Sequence, residues 1–225
     1  MARLRRASQI TAPHAESQIF MNQELYGSNE RGGHHLPPLD EACPIPWALR
    51  FGRNAPLGLE IGFNRGRFLE ALARENPMED FVGIEIRRKF AWDLAGRMEA
   101  AGDLSNLRLI WGDAKQLVSR IFPLESLHNI YITFPDPWWK KRHEKRRLVG
   151  ESFAETLSTR LRSGGSVWVK SDVQMISEEI GEALQSRNEL CAPIGFSENE
   201  LPLTHRERSC ITQGLPIYRH RYQKR

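Results

Sequence analysis

Five strand-like apolar stretches alternate with five stretches of helical spacing between residues 57 and 187. The first pair is "LGLEIGF" at residues 57–63 and "RGRFLEALARE" at residues 65–75, where apolar residues recur every three to four positions. Strands that alternate with helices form parallel sheets, whose strands are covered on both faces and read as continuous apolar runs. The sequence therefore predicts an α/β fold with a doubly wound, mostly parallel sheet of about seven strands.

The remaining pairs follow the same order, and the two ends of the chain differ from them. The stretch at 209–225, "SCITQGLPIYRHRYQKR", contains β-prone segments with no intervening helix, which predicts an antiparallel addition at one sheet edge. Residues 1–45 lack periodicity and include the breaker-rich "NERGGHHLPP". We therefore expect an irregular, partly disordered N-terminal extension over residues 1–45 and a single domain over residues 46–225.

The charge of the chain is concentrated rather than spread. The net charge is +4, yet residues 140–147 alone hold six Lys or Arg and one Glu, a layout that favours a local contact with a polyanion. Three scattered cysteines form no metal-ligand or disulfide pattern. No apolar stretch approaches the roughly 18 residues of a membrane span, and the start lacks the apolar core of a secretory signal. We expect no metal, no membrane contact and a cytoplasmic location.

Each of the five predicted strands is followed by an acidic residue at or near its carboxyl end. Ligands of open parallel sheets bind at this edge. A single acid here is as often a helix cap as a ligand contact, but five along one edge indicate a site. The five acids are Glu60, Glu85, Asp113, Asp136 and Asp172.

The turn after the first strand indicates a nucleotide-like cofactor. Gly62 and Gly66 allow the backbone to approach a ligand closely, although such a turn alone is equally typical of helix–strand packing. Glu85 lies at the next strand end, where a carboxylate can accept both hydroxyls of a ribose. The turn does not supply the G-x-G-x-x-G of nicotinamide sites. An acid just before the turn, Glu60, suits the ammonium of S-adenosylmethionine, and Asp113 is placed to accept from an adenine amino group. We therefore favour S-adenosylmethionine over a nicotinamide.

The fourth strand end combines a constrained acid with the basic segment. Asp136 lies between Pro135 and Pro137, which restrict the backbone, and the segment 140–147 follows after two tryptophans. The plain alternatives are a capped turn and a solvated charged face. Next to a candidate site, cations that neutralise phosphates and aromatic rings that stack on bases instead indicate a nucleic-acid surface.

These motifs together resemble the bacterial tRNA (guanine-N7-)-methyltransferase family. The resemblance is carried by "LEIGF", "FVGIEI", "GDA", "FPDPWWKKRHEKRR" and the closing "THRE" and "GLPIYR", and runs from about residue 47 to residue 218. It implies a Rossmann-like class I methyltransferase that uses S-adenosylmethionine and methylates N7 of the variable-loop guanosine, position 46, of tRNA.

The resemblance also implies roles for individual residues. The cofactor residues are Glu60, Gly62, Glu85, Asp113 and Asp136, and the catalytic acid is Asp136. The substrate contacts are Lys140, Asp172, Thr204, His205, Arg206 and Glu207. The RNA-facing residues are Arg142, His143, Lys145, Arg146 and Arg147. Taken alone, "THRE" at residues 204–207 is typical of a helix capping box.

One departure from the family pattern concerns the first turn, and two other functions stay open. The family has Gly-x-Gly-x-Gly in the first turn, whereas this chain has Asn64 at the middle position, a residue that tolerates positive φ. The alternatives are a class I methyltransferase with another RNA or a small-molecule substrate, and a non-catalytic RNA-binding relative. The sequence leaves both a monomer and a homodimer open.

Overall fold

A single sheet organises the chain in the computed structural model, which describes residues 44–102, 104–138 and 147–225. Within these residues, seven strands lie in the order β3-β2-β1-β4-β5-β7-β6. The strands are β1 Leu57–Ile61, β2 Asp80–Glu85, β3 Leu107–Trp111, β4 Leu127–Thr133, β5 Leu161–Ser171, β6 Ile194–Gly195 and β7 Tyr218–Gln223.

Helices connect the strands and cover the sheet. No helix among the described residues is long and apolar enough to cross a membrane. The helices are α1 Trp47–Phe51, α2 Arg67–Glu75, α3 Arg88–Ala101, α4 Ala114–Ile121, α5 Glu151–Arg160, α6 Gln174–Gln185 and α7 His205–Gln213, with a 3-10 turn at Glu198–Glu200.

The predicted doubly wound sheet is confirmed. Strands β1 to β5 pair in parallel, with β1 between β2 and β4, so the crossovers from β1 to β3 cover one face and those from β3 to β5 cover the other. Helices α2 and α3 pack on one face around Phe81 and Leu109. Helices α4, α5 and α6 pack on the other face around Leu59 and Ile130. Every residue of β1 and β2 is buried, which explains why their sequences do not alternate between apolar and polar.

The last two strands are antiparallel, as predicted, but a helix extends into the stretch that was expected to contain none. Strand β7 pairs antiparallel with β5, and β6 pairs antiparallel with β7. Residues 209–213, interpreted from sequence as β-prone, form the second half of α7. The prediction was wrong because the capping box at Thr204 starts a helix that continues to Gly214, where a φ of 65° ends it.

Two further boundaries differ from the sequence predictions. The stretch "ESFAETLSTRLRSGG" at residues 151–165 has helical spacing and predicts one helix, but residues 161–165 belong to β5, whose pairing with β4 has an irregularity in this region. The predicted N-terminal extension lies outside the described residues except for Pro44 and Ile45. Ile45 is buried in the core, and its N–H donates to the carbonyl of Ile121. Packed structure therefore includes the residue just before the predicted domain start at 46.

Gly66 allows α2 to approach α3 closely. It caps α2 with a φ of 70°, and a Cβ at this position would lie 2.1 Å from Cδ2 of Leu94. A real side chain cannot come so near, so the glycine is required by packing as well as by backbone conformation. Its role is to fix the helix that follows the first turn.

We predict that Gly66→Ala destabilises the fold by roughly 2–5 kcal/mol, because about 1–2 kcal/mol of backbone strain adds to the cost of overpacking. Gly102→Ala is the matched control, since Gly102 has a similar φ of 67° but nothing within 4 Å of an added Cβ. It should cost only about 1–2 kcal/mol. Urea denaturation of the two variants measures the difference, and equal losses would show that the contact with Leu94 costs nothing.

Candidate active site

The five acids predicted for the site all lie at the carboxyl edge of the parallel strands. Glu60 and Glu85 are within the last two residues of β1 and β2, while Asp113, Asp136 and Asp172 lie one to three residues beyond β3, β4 and β5. Parallel pairing brings these five strand ends to one edge of the sheet. The edge is therefore a rim of carboxyl groups supplied by five separate segments.

Glu60 is buried with half of its carboxyl group unpartnered. It is 1% exposed, and its Oε1 accepts a hydrogen bond of 3.1 Å from the hydroxyl of Thr133, whereas its Oε2 has no partner among the described residues. Burial raises the pKa of Glu60 to about 8; the Thr133 bond and the charge of Lys170 oppose this rise, and the charge of Glu85 adds to it. A buried acceptor without a donor marks a place for a ligand that brings one.

Glu85 links the first turn to the start of α3. Its Oε2 accepts from the N–H of Asn64 at 2.7 Å, and its Oε1 accepts from the N–H and the Nε of Arg87, both at 2.9 Å. The side chain is 1% exposed. The carboxylate is therefore oriented before any ligand arrives.

The first turn has an open face where a ligand can approach the backbone. Gly62 has a φ of 78°, and a Cβ built on it would meet nothing within 4 Å. Asn64 has a φ of 51°, within the positive region that asparagine tolerates. The main chain of Asn64, rather than its side chain, contacts Glu85. The turn therefore keeps its shape without a middle glycine.

Asp113 acts as a helix cap in addition to its place on the rim. Its Oδ1 accepts from the N–H of Lys115 at 3.0 Å, at the first turn of α4. Beside it, the indole N–H of Trp111 donates to the carbonyl of Ile86 at 3.1 Å. This contact joins the ends of β2 and β3 into one wall of the rim.

The loop that carries Asp136 is strained and exposes that one residue. Phe134 and Trp138 have φ values of 49° and 44°, a conformation that bulky residues adopt only when the surroundings enforce it. The N–H of Phe134 donates to the carbonyl of Lys170 at 2.7 Å, which fixes the start of the loop on β5. Asp136 itself is exposed and lines a cleft against α6. The loop therefore presents one carboxylate to solvent on a constrained backbone.

The predicted substrate residues near the end of β5 and in α7 divide into an outer and an inner pair. On the outside, the guanidinium of Arg206 bonds to Oδ2 of Asp172, and Arg206 is half exposed. On the inside, Thr204 and Glu207 form the capping box of α7, with the N–H of Glu207 donating to the Thr204 hydroxyl at 2.9 Å. His205 is exposed. The structure thus brings Asp172 to Arg206, while the side chain of Glu207 faces the interior.

Most of the predicted RNA-facing segment lies outside the described residues. This holds for Lys140, Arg142, His143, Lys145 and Arg146.

Arg147 is described and is anchored to the domain. Its guanidinium pairs with Glu179 of α6, and its carbonyl accepts from the ammonium of Lys115. Its side chain is only 17% exposed.

Sequence reasoning missed three polar residues on the face of the sheet covered by α2 and α3. They are Thr133, which bonds to Glu60, and Lys170 and Arg219, which both bond to Glu207. A lysine inside the apolar stretch "SVWVK" was a usable signal, because a buried lysine requires an internal partner. Its partner could not be identified, since it lies 37 residues away.

Known proteins that resemble this chain are methyltransferases. Residues 54–220 match the family model described as "Putative methyltransferase". A tRNA (guanine-N(7)-)-methyltransferase of Myxococcus xanthus (strain DK1622) is 39% identical over 189 residues, which cover 82% of this chain and 91% of that protein. A protein of the same name from Alkalilimnicola ehrlichii is 34% identical over 197 residues, which cover 86% of this chain and 82% of that protein. The solved structure of the 16S rRNA methyltransferase KamB shares the fold, with a TM-score of 0.59, 14% identity and coverage of 86% of this chain and 98% of that chain.

We predict that the free energy of unfolding, without cofactor, falls as pH rises from about 4.5 to about 8. In this window Glu60 is protonated when folded and ionised when unfolded, so folding takes up a proton. The loss attributable to Glu60 is at most about 4 kcal/mol. Urea denaturation at pH 5, 6.5 and 8 measures it. Glu60→Gln should flatten the dependence, and Glu155→Gln on the exposed side of α5 is the control for losing one carboxyl group. If the free energy of unfolding of Glu60→Gln depended on pH as steeply as that of the wild type, Glu60 would not be the group responsible.

For Asn64 we expect Asn64→Gly to change stability by less than about 1 kcal/mol, because glycine adopts the same positive φ and the main-chain bond to Glu85 remains. Asn64→Val, which is strained at this φ, is the control and should cost more than Asn64→Gly. Titration calorimetry with S-adenosylhomocysteine should give equal or tighter binding for Asn64→Gly. A tenfold loss of affinity would reveal a ligand contact of the Asn64 side chain.

Proposed function

Because the chain belongs to the tRNA (guanine-N7-)-methyltransferase family, we propose that it methylates N7 of the variable-loop guanosine, position 46, of tRNA. The observation that carries the proposal is that some acids of the rim are buried and one is exposed. Glu60 and Glu85 are buried at the ends of β1 and β2, whereas Asp136 is exposed on a strained loop after β4. The buried part suits a cofactor, and the exposed part suits a macromolecular substrate.

S-adenosylmethionine is the cofactor of this family and fold, and the rim has the groups to hold it. The cofactor supplies a methyl group on a positively charged sulfur, which leaves as a neutral thioether. Glu60 offers its unpartnered Oε2 to an ammonium, and the open face at Gly62 admits a ligand against the backbone. Glu85 offers a pre-oriented carboxylate for ribose hydroxyls, and Asp113 lies where an adenine amino group can donate.

Asp136 stabilises the reacting guanine rather than removing a proton from it. Guanine N7 carries a lone pair, so no general base is required for it to attack a methyl group. The purine becomes positively charged as the methyl arrives, and a carboxylate at a fixed position lowers the energy of that charge. Asp136 is the exposed carboxylate on this loop, and the flanking prolines hold its backbone. Asp172 assists from the neighbouring strand end, with its charge shared with Arg206.

The tRNA contacts extend from this edge to the basic segment. Lys140, Arg142, His143, Lys145 and Arg146 are proposed to neutralise phosphates, which gives affinity that depends on salt and on tRNA shape.

Arg147 has a different part in this proposal. Its pairing with Glu179 and the bond from Lys115 to its carbonyl make it an anchor for the end of the segment. A phosphate would have to share Arg147 with Glu179.

We predict that Asp136→Asn lowers the single-turnover rate of methyl transfer to unmodified tRNA by about 100-fold or more, because a charge-stabilising group is lost. Affinity for tRNA should change little, since binding depends mainly on phosphate contacts. The rate is measured with radiolabelled S-adenosylmethionine. The site is mapped by borohydride and aniline, which cleave RNA at 7-methylguanosine.

Asp93→Asn is the matched control, because Asp93 is a partly exposed aspartate on α3 that pairs with Lys89 and is not one of the five rim acids. It should retain the wild-type rate. Wild-type methylation without aniline-sensitive cleavage would exclude N7 as the acceptor, and cleavage elsewhere would exclude position 46. If Asp136→Asn transferred the methyl group at the wild-type rate, Asp136 would only shape the turn and would have no part in the reaction.

A further inference from the structure

Lys170 is a buried charged residue of β5. The proposed reaction gives it no role. It is fully buried, and its ammonium donates to Oε2 of Glu207 at 2.7 Å and to the carbonyl of Pro202 at 3.3 Å. The rings of Phe68 and Phe196 lie 5.5 Å and 5.9 Å from the ammonium. Such an arrangement favours the cation, because it supplies an anion and two aromatic faces within the protein.

Glu207, the partner of Lys170, has no surface left for a substrate. Its Oε2 accepts from Lys170 and from the N–H of Thr204, and its Oε1 accepts from the Nε and a terminal nitrogen of Arg219, at 3.0 Å and 2.9 Å. The residue is 0% exposed. A carboxylate with four donors and no exposure fixes the first turn of α7 rather than contacting RNA.

The buried contacts of Glu207 fix the first turn of α7 more firmly than the surface pair of Arg206 and Asp172 can. Arg206, next to Glu207, pairs with Asp172 at the surface, and Arg206 is 50% exposed. Exposed ion pairs contribute little to holding a geometry. The position of Arg206 and Asp172 therefore depends on the buried contacts of Glu207.

Lys170 also touches the loop of Asp136 through its main chain. Its carbonyl accepts from the N–H of Phe134, the strained residue that begins this loop. Thr133, which bonds to Glu60, is the register partner of Lys170 across β4 and β5. One residue thus contacts the cap of α7 with its side chain and the loop of Asp136 with its backbone.

We infer that Lys170 is a positioning residue for methyl transfer, whose buried ammonium holds Glu207 and thereby sets Arg206 and Asp172 against the loop of Asp136. The inference rests on the proposed function and assigns the four residues of "THRE" to two tasks. Thr204 and Glu207 hold the helix, whereas His205 and Arg206 face the substrate.

The test compares Lys170→Met, Glu207→Gln and the double variant. Met keeps an unbranched side chain only one atom shorter and removes the charge, and Gln can still accept the capping bond from Thr204. Lys170→Met should lower kcat/KM for tRNA by about 10–100-fold at saturating cofactor, because small displacements of reacting groups are costly. The affinity of Lys170→Met for S-adenosylhomocysteine should stay within about threefold of the wild-type affinity. The double variant should be no worse than the poorer single variant, because both changes break the same contact.

Arg53→Met is the matched control. Arg53 pairs at 2.7 Å with the largely buried Asp80, at the amino-terminal end of β2 and thus far from the rim. Its loss should lower the thermal midpoint but leave kcat/KM within about twofold of wild type, measured below the midpoint of every variant. The same result for Lys170→Met would overturn the inference, since its role would then be stability alone. Multiplicative losses in the double variant would overturn the claim that Lys170 acts through Glu207.

Hydrogen exchange gives a readout that does not depend on activity. Lys170→Met should speed exchange of the amides of residues 204–208 relative to those of α5, and unchanged protection would overturn the inference. If the wild type transfers no methyl group to tRNA, the proposed function fails. The exchange result then decides alone whether Lys170 fixes the first turn of α7.

Discussion

Burial of the strands on both faces is the constraint on which the rest of this structure depends. Because β1 and β2 have no exposed residue, a polar side chain on them must lie near the carboxyl edge or find a partner inside the protein. Glu60 and Glu85 meet both conditions. The candidate site therefore lies at one edge of the sheet, and the crossover connections bring five distant segments to it.

The features that could be predicted from sequence are the ones that depend on local pattern. Continuous apolar runs and helical spacing identified the five parallel strands and the helices between them, since each pattern is complete within a dozen residues. The same locality caused the error at residues 209–213, where Ile211 and Thr212 favour a strand. The start of that helix lies upstream, in the capping box of Thr204 and Glu207, and a helix once begun there extends through weak helix formers.

Parts of the site that could not be predicted depend on register. Thr133 lies beside Lys170 because β4 pairs with β5 in a particular alignment, and Lys170 lies opposite Arg219 because β7 returns antiparallel. Shifting either pairing by one residue would turn these side chains to the other face. No local pattern contains that information, so the rim acids could be named from sequence while the residues that hold them could not.

The buried pair of Lys170 and Glu207 is better explained by geometry than by stability. Desolvating two charges offsets most of their attraction, so a buried ion pair adds little net stability compared with apolar residues of the same size. Burial lowers the pKa of Lys170, while the bond from Glu207 and the charge of Glu60 raise it. With Glu60 protonated, Lys170 shares the carboxylate of Glu207 with Arg219 and has no charge from Glu60 beside it. A cation that contacts Oε2 of Glu60 favours the ionised carboxylate, and this charge in turn favours the ammonium of Lys170. Electrostatics thus connects the end of β1, the proposed place of the cofactor's ammonium, to the cap of α7, although Glu60 and Lys170 share no direct bond.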